Sequence, residues 1–355
     1  MIDAQPTHTI KGRGTASTLP GRFTVAVIEL DETGEPLPNP ATELRHETAR
    51  SIISRNQSPD VPFRLSLNPY RGCEHGCVYC FARPSHAYLD LSPGLDFETK
   101  LSVKHNAPEL FEEALRKPGY RCEPIALGIN TDAYQPIERE QGVVRQLLET
   151  ALAFNQPLSI ITKSGLILRD LDLLTEMASR HLIHTAVSVT TLSNDIKRTL
   201  EPRTASPATR LKVIRELSAA GVPVMAMVAP VIPLINEHEL EGIVGAAAEA
   251  GATSAAYVLL RLPHEVAPLF VGWLRQHFPE RAGHVISRLC AMRGGKLYDS
   301  DFGTRMTGRG IFADLINQRF HIALRKHGLE GRRAPTLNCA DFAPPPAAGD
   351  QLSLI

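Results

Sequence analysis

Residues 68–84 read NPYRGCEHGCVYCFARP, and we interpret this stretch as the loop around which the chain is organised. It contains Cys73, Cys77 and Cys80 in a C-x3-C-x2-C array. Three thiolates at this spacing can bind three corners of a [4Fe–4S] cluster and leave the fourth iron without a protein ligand. A regular helix or strand would direct the three sulfurs apart, so the array predicts an irregular loop.

Two glycines within the array support this interpretation. Gly72 and Gly76 free the backbone, so that amide groups can approach the cluster sulfides. A structural zinc site, with His75 or His86 as the fourth ligand, is the main alternative, and a purely structural group of thiols is another. Zinc sites usually combine C-x2-C with a second pair of ligands well downstream, and no such pair follows here. The spacing therefore favours an iron–sulfur cluster.

The composition excludes some classes of protein. The chain has 355 residues, 43% of them hydrophobic, which is enough for one large domain with extensions. Lys plus Arg and Asp plus Glu number 38 each, so no overall field attracts nucleic acid or an anionic membrane, although a local basic groove is compatible with this balance. The beginning, MIDAQPTHTI, has an early acid and no apolar core, so we expect no signal peptide. The most apolar run, residues 224–235, is short and contains two prolines, which argues against a membrane span.

The six cysteines are unevenly distributed. Three form the array, whereas Cys122, Cys290 and Cys339 lie far apart in the sequence. This distribution is typical of the reducing cytoplasm rather than of a disulfide framework, so we expect a cytoplasmic protein. The three scattered cysteines are predicted to be buried thiols.

Strand and helix patterns alternate after residue 60. Six strands are predicted, at residues 63–67, 125–129, 158–162, 185–189, 224–228 and 254–260. Helices are predicted at residues 108–115, 142–154, 169–180, from 194 onward, 206–220, 237–250, 266–278 and 311–326. Ser206 is the predicted N-cap of one helix, and Gly221 its stop signal. Six tandem strand–helix units predict an α/β fold with a parallel sheet, either a partial (β/α)6 TIM-like barrel or an open doubly wound layer.

The barrel is expected to carry an extension at each end. We assign residues 1–60 to an irregular N-terminal extension, residues 61–282 to the partial barrel and residues 283–355 to a C-terminal extension. The N-terminal extension is predicted to contain a strand at residues 23–30 and a short amphipathic helix at residues 43–53. The Pro/Ala-rich tail after residue 333 is expected to be loose.

Polar residues follow the predicted strands at their carboxyl ends, where α/β folds place their chemistry. They include Asn130, Thr131, Asp132, Thr162, Lys163, Ser164, Ser188, Thr190, Thr191, Glu201, Arg203, Thr204 and Arg261. Any one of them is compatible with a cap, a turn or a solvated charge. Several on one rim, beside a metal-binding loop, predict a cofactor cavity.

The array and the pieces that follow it resemble a known family. In order they are GCEHGCVYC, NTD, ITKS, VSV, EPRTASPATRL and MVAPVIP, spread over residues 66–262. On these pieces the chain resembles the radical S-adenosylmethionine (SAM) proteins of the spore-photoproduct-lyase-like, or "DNA repair photolyase", group, and within it an uncharacterised bacterial branch. The resemblance implies a partial (β/α)6 barrel in which Cys73, Cys77 and Cys80 bind a catalytic [4Fe–4S] cluster whose open iron binds SAM.

The resemblance also assigns candidate contacts to SAM. Thr131, Lys163 and Ser188 match positions that contact SAM in the photoproduct lyases, and Arg203 matches the arginine of their E-x-R-T motif. By chemistry, Lys163 and Arg203 suit the SAM carboxylate, the Asn130–Thr131–Asp132 turn suits its ammonium group, and Ser188 suits its ribose. The ring of Tyr79 suits its adenine.

One position departs from the family. The photoproduct lyases carry a hydrogen-donating cysteine two residues before the position of Thr131, and here that residue is Ile129. Isoleucine has no thiol, so reversal of thymine dimers by the same route is not expected. Candidate substitutes are Cys122, Cys290, Cys339, Tyr134, Tyr257 and Tyr298.

The resulting functional hypothesis is reductive cleavage of SAM to a 5′-deoxyadenosyl radical. It implies a one-electron reductant of the flavodoxin or ferredoxin type. Nucleic acid is one predicted substrate class, bound by a basic face that consists of Arg288, Arg293, Lys296, Arg305 and Arg309. The favoured alternative for these five residues is a solvated, intermittently paired surface. A peptide or a small metabolite is the alternative substrate, and a non-catalytic metal-binding scaffold is the alternative function.

Overall fold

The computed structural model describes residues 10–15, 19–23 and 41–346. Within these residues the strands are β1 Glu43–Glu47, β2 Ile53–Arg55, β3 Leu65–Leu67, β4 Tyr70–Arg71, β5 Lys100–Lys104, β6 Ile125–Leu127, β7 Leu158–Thr162, β8 Ile183–Ser188, β9 Val224–Val231 and β10 Ser254–Leu259. The α-helices are α1 Asp96–Thr99, α2 Ala107–Arg116, α3 Glu138–Gln141, α4 Val143–Ala153, α5 Leu171–Ser179, α6 Asn194–Leu200, α7 Pro207–Ala219, α8 Leu240–Glu249, α9 Val266–His277, α10 Pro279–Ala291 and α11 Ile311–Lys326. Single 3-10 helices span Arg83–Leu89, Gly165–Asp170 and Glu237–Glu239.

Six of the strands form the predicted parallel sheet. The order is β10-β9-β8-β7-β6-β3-β2, with every neighbouring pair from β3 to β10 parallel and β2 antiparallel at the edge. Leu127 of β6 stands in register with Leu67 of β3 and Ile160 of β7. The edge strands β10 and β2 lie at opposite ends of this order, so the sheet forms an open partial barrel. The predicted fold class is therefore confirmed.

The helices cover the outside of the sheet because their apolar residues form one stripe each. In α7 the residues Val213, Ile214 and Leu217 are buried. Ser206 caps this helix by accepting a hydrogen bond from the amide of Thr209, and Gly221 follows its end with a φ of +75°. The helix predicted from the Ser206 cap is confirmed, and α11 has the bounds that the sequence predicts.

The helix predicted at residues 43–53 is wrong. This segment instead contains β1, which pairs in parallel with β5, and the start of β2. Leu44 of β1 stands opposite Leu101 of β5. Pairing with a partner more than fifty residues away outweighs local helix propensity, and no local pattern reports it. The predicted strand at residues 23–30 lies, beyond Phe23, outside the described residues.

The small sheet β1-β5-β4 supports the cysteine loop. Its strand β4 pairs antiparallel with β5 and ends one residue before Gly72. Lys104, in β5, donates its ammonium group to the carbonyl oxygen of Asn68 at 2.9 Å. The first residues of the loop are thereby held between two sheets.

Part of the tail after residue 333, expected to be loose, packs on the barrel. The ring of Phe342 lies 5.2 Å from that of Tyr120 and 6.4 Å from that of Phe154, centroid to centroid. The amide of Asn338 donates to the carbonyl oxygen of His181 at 2.9 Å. These contacts lie beside the amino ends of β6 and β7, opposite the cysteine loop. Across the described residues, no helix has the length and apolar character needed to cross a membrane.

Candidate functional site

The cysteine loop is irregular, as predicted. Gly72 has a φ of +75° and Gly76 a φ of +66°. A Cβ atom on Gly72 would lie 2.9 Å from the carbonyl oxygen of Phe97, and one on Gly76 would lie 2.7 Å from Oε2 of Glu98. Glycine meets both the conformation and the lack of space, so the backbone freedom predicted for these positions is confirmed.

The three thiols of the loop lie near one another. Cys73 and Cys77 are buried, and Cys80 is half-buried. Burial, the carboxylate of Asp132 and the neighbouring Cys77 and Cys80 all raise the pKa of the Cys73 thiol. Burial and the Glu201 carboxylate raise the pKa of Cys77 to about 12 against the opposing effect of Lys163. Binding of a metal to these thiols would therefore release their protons.

The donor set of the loop, three thiols, is the one that three corners of a [4Fe–4S] cluster take. Among the described residues, no three His, Cys, Asp or Glu side chains converge as the ligands of one metal ion would. A zinc ion would need its ligand atoms at about 2.0–2.3 Å around one point. A [4Fe–4S] cube takes one ligand at each iron corner, so three thiolates leave the fourth iron open. His86, a candidate fourth zinc ligand, instead has Nε2 3.0 Å from the carbonyl oxygen of Lys100.

Asp132 joins the cysteine loop to the ends of β6 and β7. Its carboxylate accepts hydrogen bonds from the Thr162 hydroxyl and the Lys163 amide, both at 2.7 Å. It also lies 3.2 Å from Nδ1 of His75. Burial opposes its ionisation, but His75 and these donors hold the pKa of Asp132 at about 2. Its oxygens are thus engaged by protein groups, and its contribution to a cofactor site is to position the loops.

The other residues of the predicted ammonium-binding turn differ in exposure. Asn130 is exposed, and its amide donates to Oδ1 of Asn68 at 2.8 Å. Thr131 is buried, and its hydroxyl donates to the carbonyl oxygen of Tyr70 at 3.4 Å. The turn begins because Gly128, with a φ of +77°, ends β6 before the predicted residue 129.

A buried charged network lies next to this turn. The carboxylate of Glu201 accepts hydrogen bonds from the Tyr79 hydroxyl, the Arg210 guanidinium and, at 2.7 Å, the Thr190 hydroxyl. Arg210 also donates to the carbonyl oxygen of Ser188 at 3.0 Å. Burial opposes ionisation of Glu201, yet Arg210 and Lys163 lower its pKa.

Arg210 is not among the site residues that the sequence predicts, and Glu201 is predicted only as one of several rim residues. Both lie in the segment EPRTASPATRL, nine residues apart. Their opposite charges, on either side of the helix cap at Ser206, were the one feature of the sequence that could have indicated a pair. Nothing local indicated that both would be fully buried.

Lys163 and Arg203, the two candidate partners of the SAM carboxylate, differ in their surroundings. Nη1 of Arg203 already lies 3.1 Å from Oε1 of Glu74, in the cysteine loop. The ammonium group of Lys163 has no ion-pair partner in the described part of the chain and lies 5.9 Å from the centroid of the Tyr79 ring. Burial would lower the pKa of Lys163, but the neighbouring Cys77 and Glu201 raise it. Lys163 therefore stays a cation with capacity for an anionic ligand.

The candidate hydrogen donors are widely separated. Cys122 lies beside Cys339 near the amino end of β6, and its sulfur is 3.6 Å from Oε1 of Gln156. These two cysteines and Cys290 are partly exposed, so the prediction that they are buried is wrong. The reason is their position, at the tail contact and on the outer helix α10.

The three tyrosines also occupy different places. The hydroxyl of Tyr134 is buried against Asp170 at 3.2 Å, and that of Tyr257 is 3.4 Å from Oδ1 of Asn317 under α11. The hydroxyl of Tyr298 accepts from Arg261 at 3.4 Å. The Arg261 guanidinium in turn lies over the ring of Phe81, the residue after Cys80, at 5.8 Å.

The predicted basic face needs correction at two arginines, because Arg305 pairs with Asp60 and Arg293 is buried. Arg293 is fully buried and donates to the carbonyl oxygens of Leu260 at 2.6 Å and Arg305 at 3.0 Å. Its guanidinium group joins the C-terminal segment to the end of β10 through these hydrogen bonds, so this group is not available to a ligand. The sequence around Arg293 contains no local pattern that predicts the carbonyl groups surrounding its side chain.

Comparisons with known proteins agree with this geometry. Residues 67–247 match the model of the radical SAM superfamily. The chain is 40% identical over 222 residues to an uncharacterised protein of Mycobacterium tuberculosis, a match that covers 62% of this chain and 65% of that protein. It is 28% identical over 242 residues to an uncharacterised protein of Methanocaldococcus jannaschii, covering 68% and 86% of the two chains.

Solved structures show the same fold. A mutant form of spore photoproduct lyase superimposes with a TM-score of 0.58 at 16% identity, covering 80% of this chain and 79% of that chain. A spore photoproduct lyase complexed with dinucleoside spore photoproduct superimposes with a TM-score of 0.57 at 14% identity, with the same coverage.

The family match spans the cysteine loop, the Asp132 turn, Lys163 and the Glu201–Arg210 pair. The cofactors of this family are a [4Fe–4S] cluster and SAM, and the three thiols of the loop fit such a cluster. The chain belongs to the radical SAM superfamily.

Proposed function

We propose that Cys73, Cys77 and Cys80 hold a [4Fe–4S] cluster at which the enzyme cleaves SAM reductively. The observation that carries this proposal is the grouping of three thiols in one irregular loop, beside Lys163, which forms no direct ion pair among the described residues. The chemistry that the bound cofactors supply is one-electron cleavage of the SAM sulfonium, which provides a 5′-deoxyadenosyl radical for hydrogen abstraction. A flavodoxin- or ferredoxin-type protein is the proposed electron source.

The protein's own residues bind and orient. Lys163 is proposed to bind the SAM carboxylate, with Arg203 as a weaker candidate because Glu74 already pairs with it. Thr131 and Asn130 are proposed to line the ammonium side of the site. Asp132 positions that turn against the cysteine loop.

The remaining contacts face the nucleoside part of SAM. Ser188 is proposed to lie against the ribose and the Tyr79 ring against the adenine. The hydrogen bond from Tyr79 to Glu201 restrains this ring. The buried strands behind the site exclude water from the reacting groups.

Nucleic acid is the substrate class that we propose. Exposed aromatic rings alternate with arginines near the mouth of the barrel: Phe81, 46% exposed, lies under Arg261, and Phe302, 58% exposed, lies under Arg305. Such pairs are stacking surfaces for unpaired bases. A peptide or a small metabolite is the alternative, and the binding experiment below separates the two.

Tyr298 is the proposed hydrogen-atom donor to the product radical. It is connected through Arg261 to Phe81 of the cysteine loop. By contrast, Cys290 lies on the outer helix α10, Tyr134 and Tyr257 are buried against Asp170 and α11, and Cys122 and Cys339 lie at the opposite end of the barrel. A Tyr298→Phe variant should still form 5′-deoxyadenosine but should release less substrate-derived product. Equal product yields would exclude this role.

Anaerobic reconstitution tests the cofactor chemistry. The wild-type protein should bind about four iron and four sulfide per chain and should form 5′-deoxyadenosine from SAM with dithionite. Cys77→Ala should lose both properties, and Cys122→Ala, at the far end of the barrel, should keep them. One zinc per chain and no 5′-deoxyadenosine would instead support the metal-binding scaffold.

Oligonucleotide binding tests the substrate class. Single-stranded DNA or RNA should bind with an affinity that falls with salt. Phe81→Ala and Phe302→Ala should weaken binding, whereas Ile322→Ala, which removes an equally exposed side chain on α11, should not. Absent or salt-independent binding would favour a peptide or a metabolite.

A further inference from the structure

A cavity of about 720 Å³ lies beside α10, away from the cysteine loop. It is bounded by α10, the first turn of α11 and the segment that follows β9. Its volume is in the range of small-molecule sites. None of its lining residues belongs to the cysteine loop or to the ends of β6, β7 and β8.

One face of α10 supplies the cationic wall of this cavity. Arg281, His284 and Arg288 follow one another at spacings of three and four residues, so they lie on the same side of the helix. The two arginines are two turns apart, about 10 Å along the axis. Ser287 adds a hydroxyl group to the same wall.

The charges of this wall are not neutralised by the described part of the protein. Within the described residues neither Arg281 nor Arg288 forms an ion pair; Arg281 makes only a long hydrogen bond, 3.4 Å, to the carbonyl oxygen of Leu234. The lining contains a single acid, Glu237, against these two arginines. The cavity therefore has an excess of positive charge.

Arg288 is also preorganised. Its guanidinium carbon lies 3.5 Å from the centroid of the Phe312 ring, and this ring is 39% exposed. A guanidinium that stacks on a ring keeps its N–H groups in its own plane, where they can bind an oxyanion in pairs. The part of the Phe312 ring that the guanidinium does not cover is available to a planar group of a ligand.

We propose that this cavity is a second ligand site, which binds a phosphate-bearing molecule through Arg281 and Arg288 and a planar group against Phe312. Two sources share this chemistry: a free nucleotide and a phosphate of a nucleic-acid strand. The proposal does not depend on SAM cleavage, because its residues and its readout are separate from the cluster.

Titration calorimetry of the reconstituted protein tests the site, with AMP, inorganic phosphate and a single-stranded 12-mer as probes. Arg281→Gln and Arg288→Gln should each lower the affinity for the bound probe at least tenfold. Phe312→Leu should lower the affinity for AMP or the 12-mer but leave the affinity for inorganic phosphate unchanged. Arg275→Gln, an exposed arginine on the neighbouring α9, is the matched control and should have no effect.

The probes also identify the source. Binding of AMP with an affinity comparable to that of the 12-mer indicates a free nucleotide. Binding of the 12-mer alone indicates a strand, and each arginine variant should then reduce the salt slope by about 0.7. Failure of all three probes to bind, or equal binding by wild type and both arginine variants, would overturn the proposal. Thermal unfolding verifies that each variant is folded.

Discussion

Nδ1 of His75 lies 3.2 Å from a carboxylate oxygen of Asp132, which ties a residue between two of the cysteines to the turn after the neighbouring strand. Asp132 is thus the link between the loop that would hold a cluster and the turn that would face SAM. Both elements come from separate parts of the sequence, and their relative position depends on this buried carboxylate.

Replacing this carboxylate should loosen the site. In Asp132→Asn, His75 loses its charged partner. The Asn side chain also has only one acceptor oxygen, so either the Thr162 hydroxyl or the Lys163 amide loses its acceptor. We therefore expect a loss of about 2–4 kcal/mol in the free energy of unfolding. Urea unfolding measures it. Asp172→Asn is the control, because that carboxylate pairs with Arg145 at the surface and its loss should cost less than about 1 kcal/mol. Equal costs for the two variants would contradict the assigned role.

The Glu201–Arg210 pair should show strong coupling. Glu201→Gln leaves the Arg210 guanidinium buried without its counter-charge, so we expect a loss of about 3–5 kcal/mol. The double variant Glu201→Gln/Arg210→Met should be less unstable than Glu201→Gln alone, because it removes both buried charges. A double-mutant cycle in urea measures the coupling, and additive effects would show that the pair is not an energetic unit.

Lys163 and Arg203 should contribute unequally to SAM affinity. Lys163→Ala removes a cation that forms no direct ion pair in the described residues, so we expect SAM to bind about 10–100 times more weakly. Arg203→Ala removes a cation already bound to Glu74 and should have a smaller effect. Equilibrium dialysis with labelled SAM and reconstituted protein compares them. A larger effect of Arg203→Ala would reverse the assignment.

Gly76→Ala should prevent assembly of the loop. The substitution places a Cβ atom 2.7 Å from the Glu98 carboxylate in a left-handed conformation, so we expect reconstituted iron to fall well below the wild-type value. Gly283→Ala is the matched control, since open space surrounds this position of α10. It should retain the iron and gain up to about 1 kcal/mol in helix stability. Full iron loading of Gly76→Ala would refute the strain argument.

The ion pair between Asp60 and Arg305 should make stability depend on pH. It joins the segment before the barrel to the segment after it, with Nε of Arg305 2.6 Å from Oδ2 of Asp60. Hydrogen bonding from Arg305 lowers the pKa of Asp60. The pair therefore stabilises the folded protein fully at pH values above 3.8, the ordinary carboxyl pKa, and this stabilisation is lost as the pH falls below that value.

Asp60→Asn measures this contribution. At pH 7 we expect it to lower the free energy of unfolding by about 1–2 kcal/mol. The difference between wild type and variant should shrink in thermal unfolding as the pH falls toward 3. A difference that stays constant between pH 3 and pH 7 would show that Asp60 acts through packing rather than charge.

Local pattern was sufficient for much of the barrel. The run at residues 158–162 matches β7, and the cap at Ser206 begins α7, because strand periodicity and capping are properties of neighbouring residues. The segment at residues 43–53 shows the limit: its helical pattern yields to pairing with β5. Arg293 shows the same limit, since the carbonyl groups that bury it come from the end of β10 and from the C-terminal segment.

The sequence alone determined the cysteine loop, its glycines and the six parallel strands, since each depends on residue types at short spacings. Only the tertiary structure decided which charges meet. It pairs Arg203 with Glu74, buries Glu201 with Arg210, and leaves Lys163, among the described residues, without a direct ion pair beside Cys77. The physical reason is that burial and electrostatic partners arise from contacts between distant segments, which no local spacing encodes.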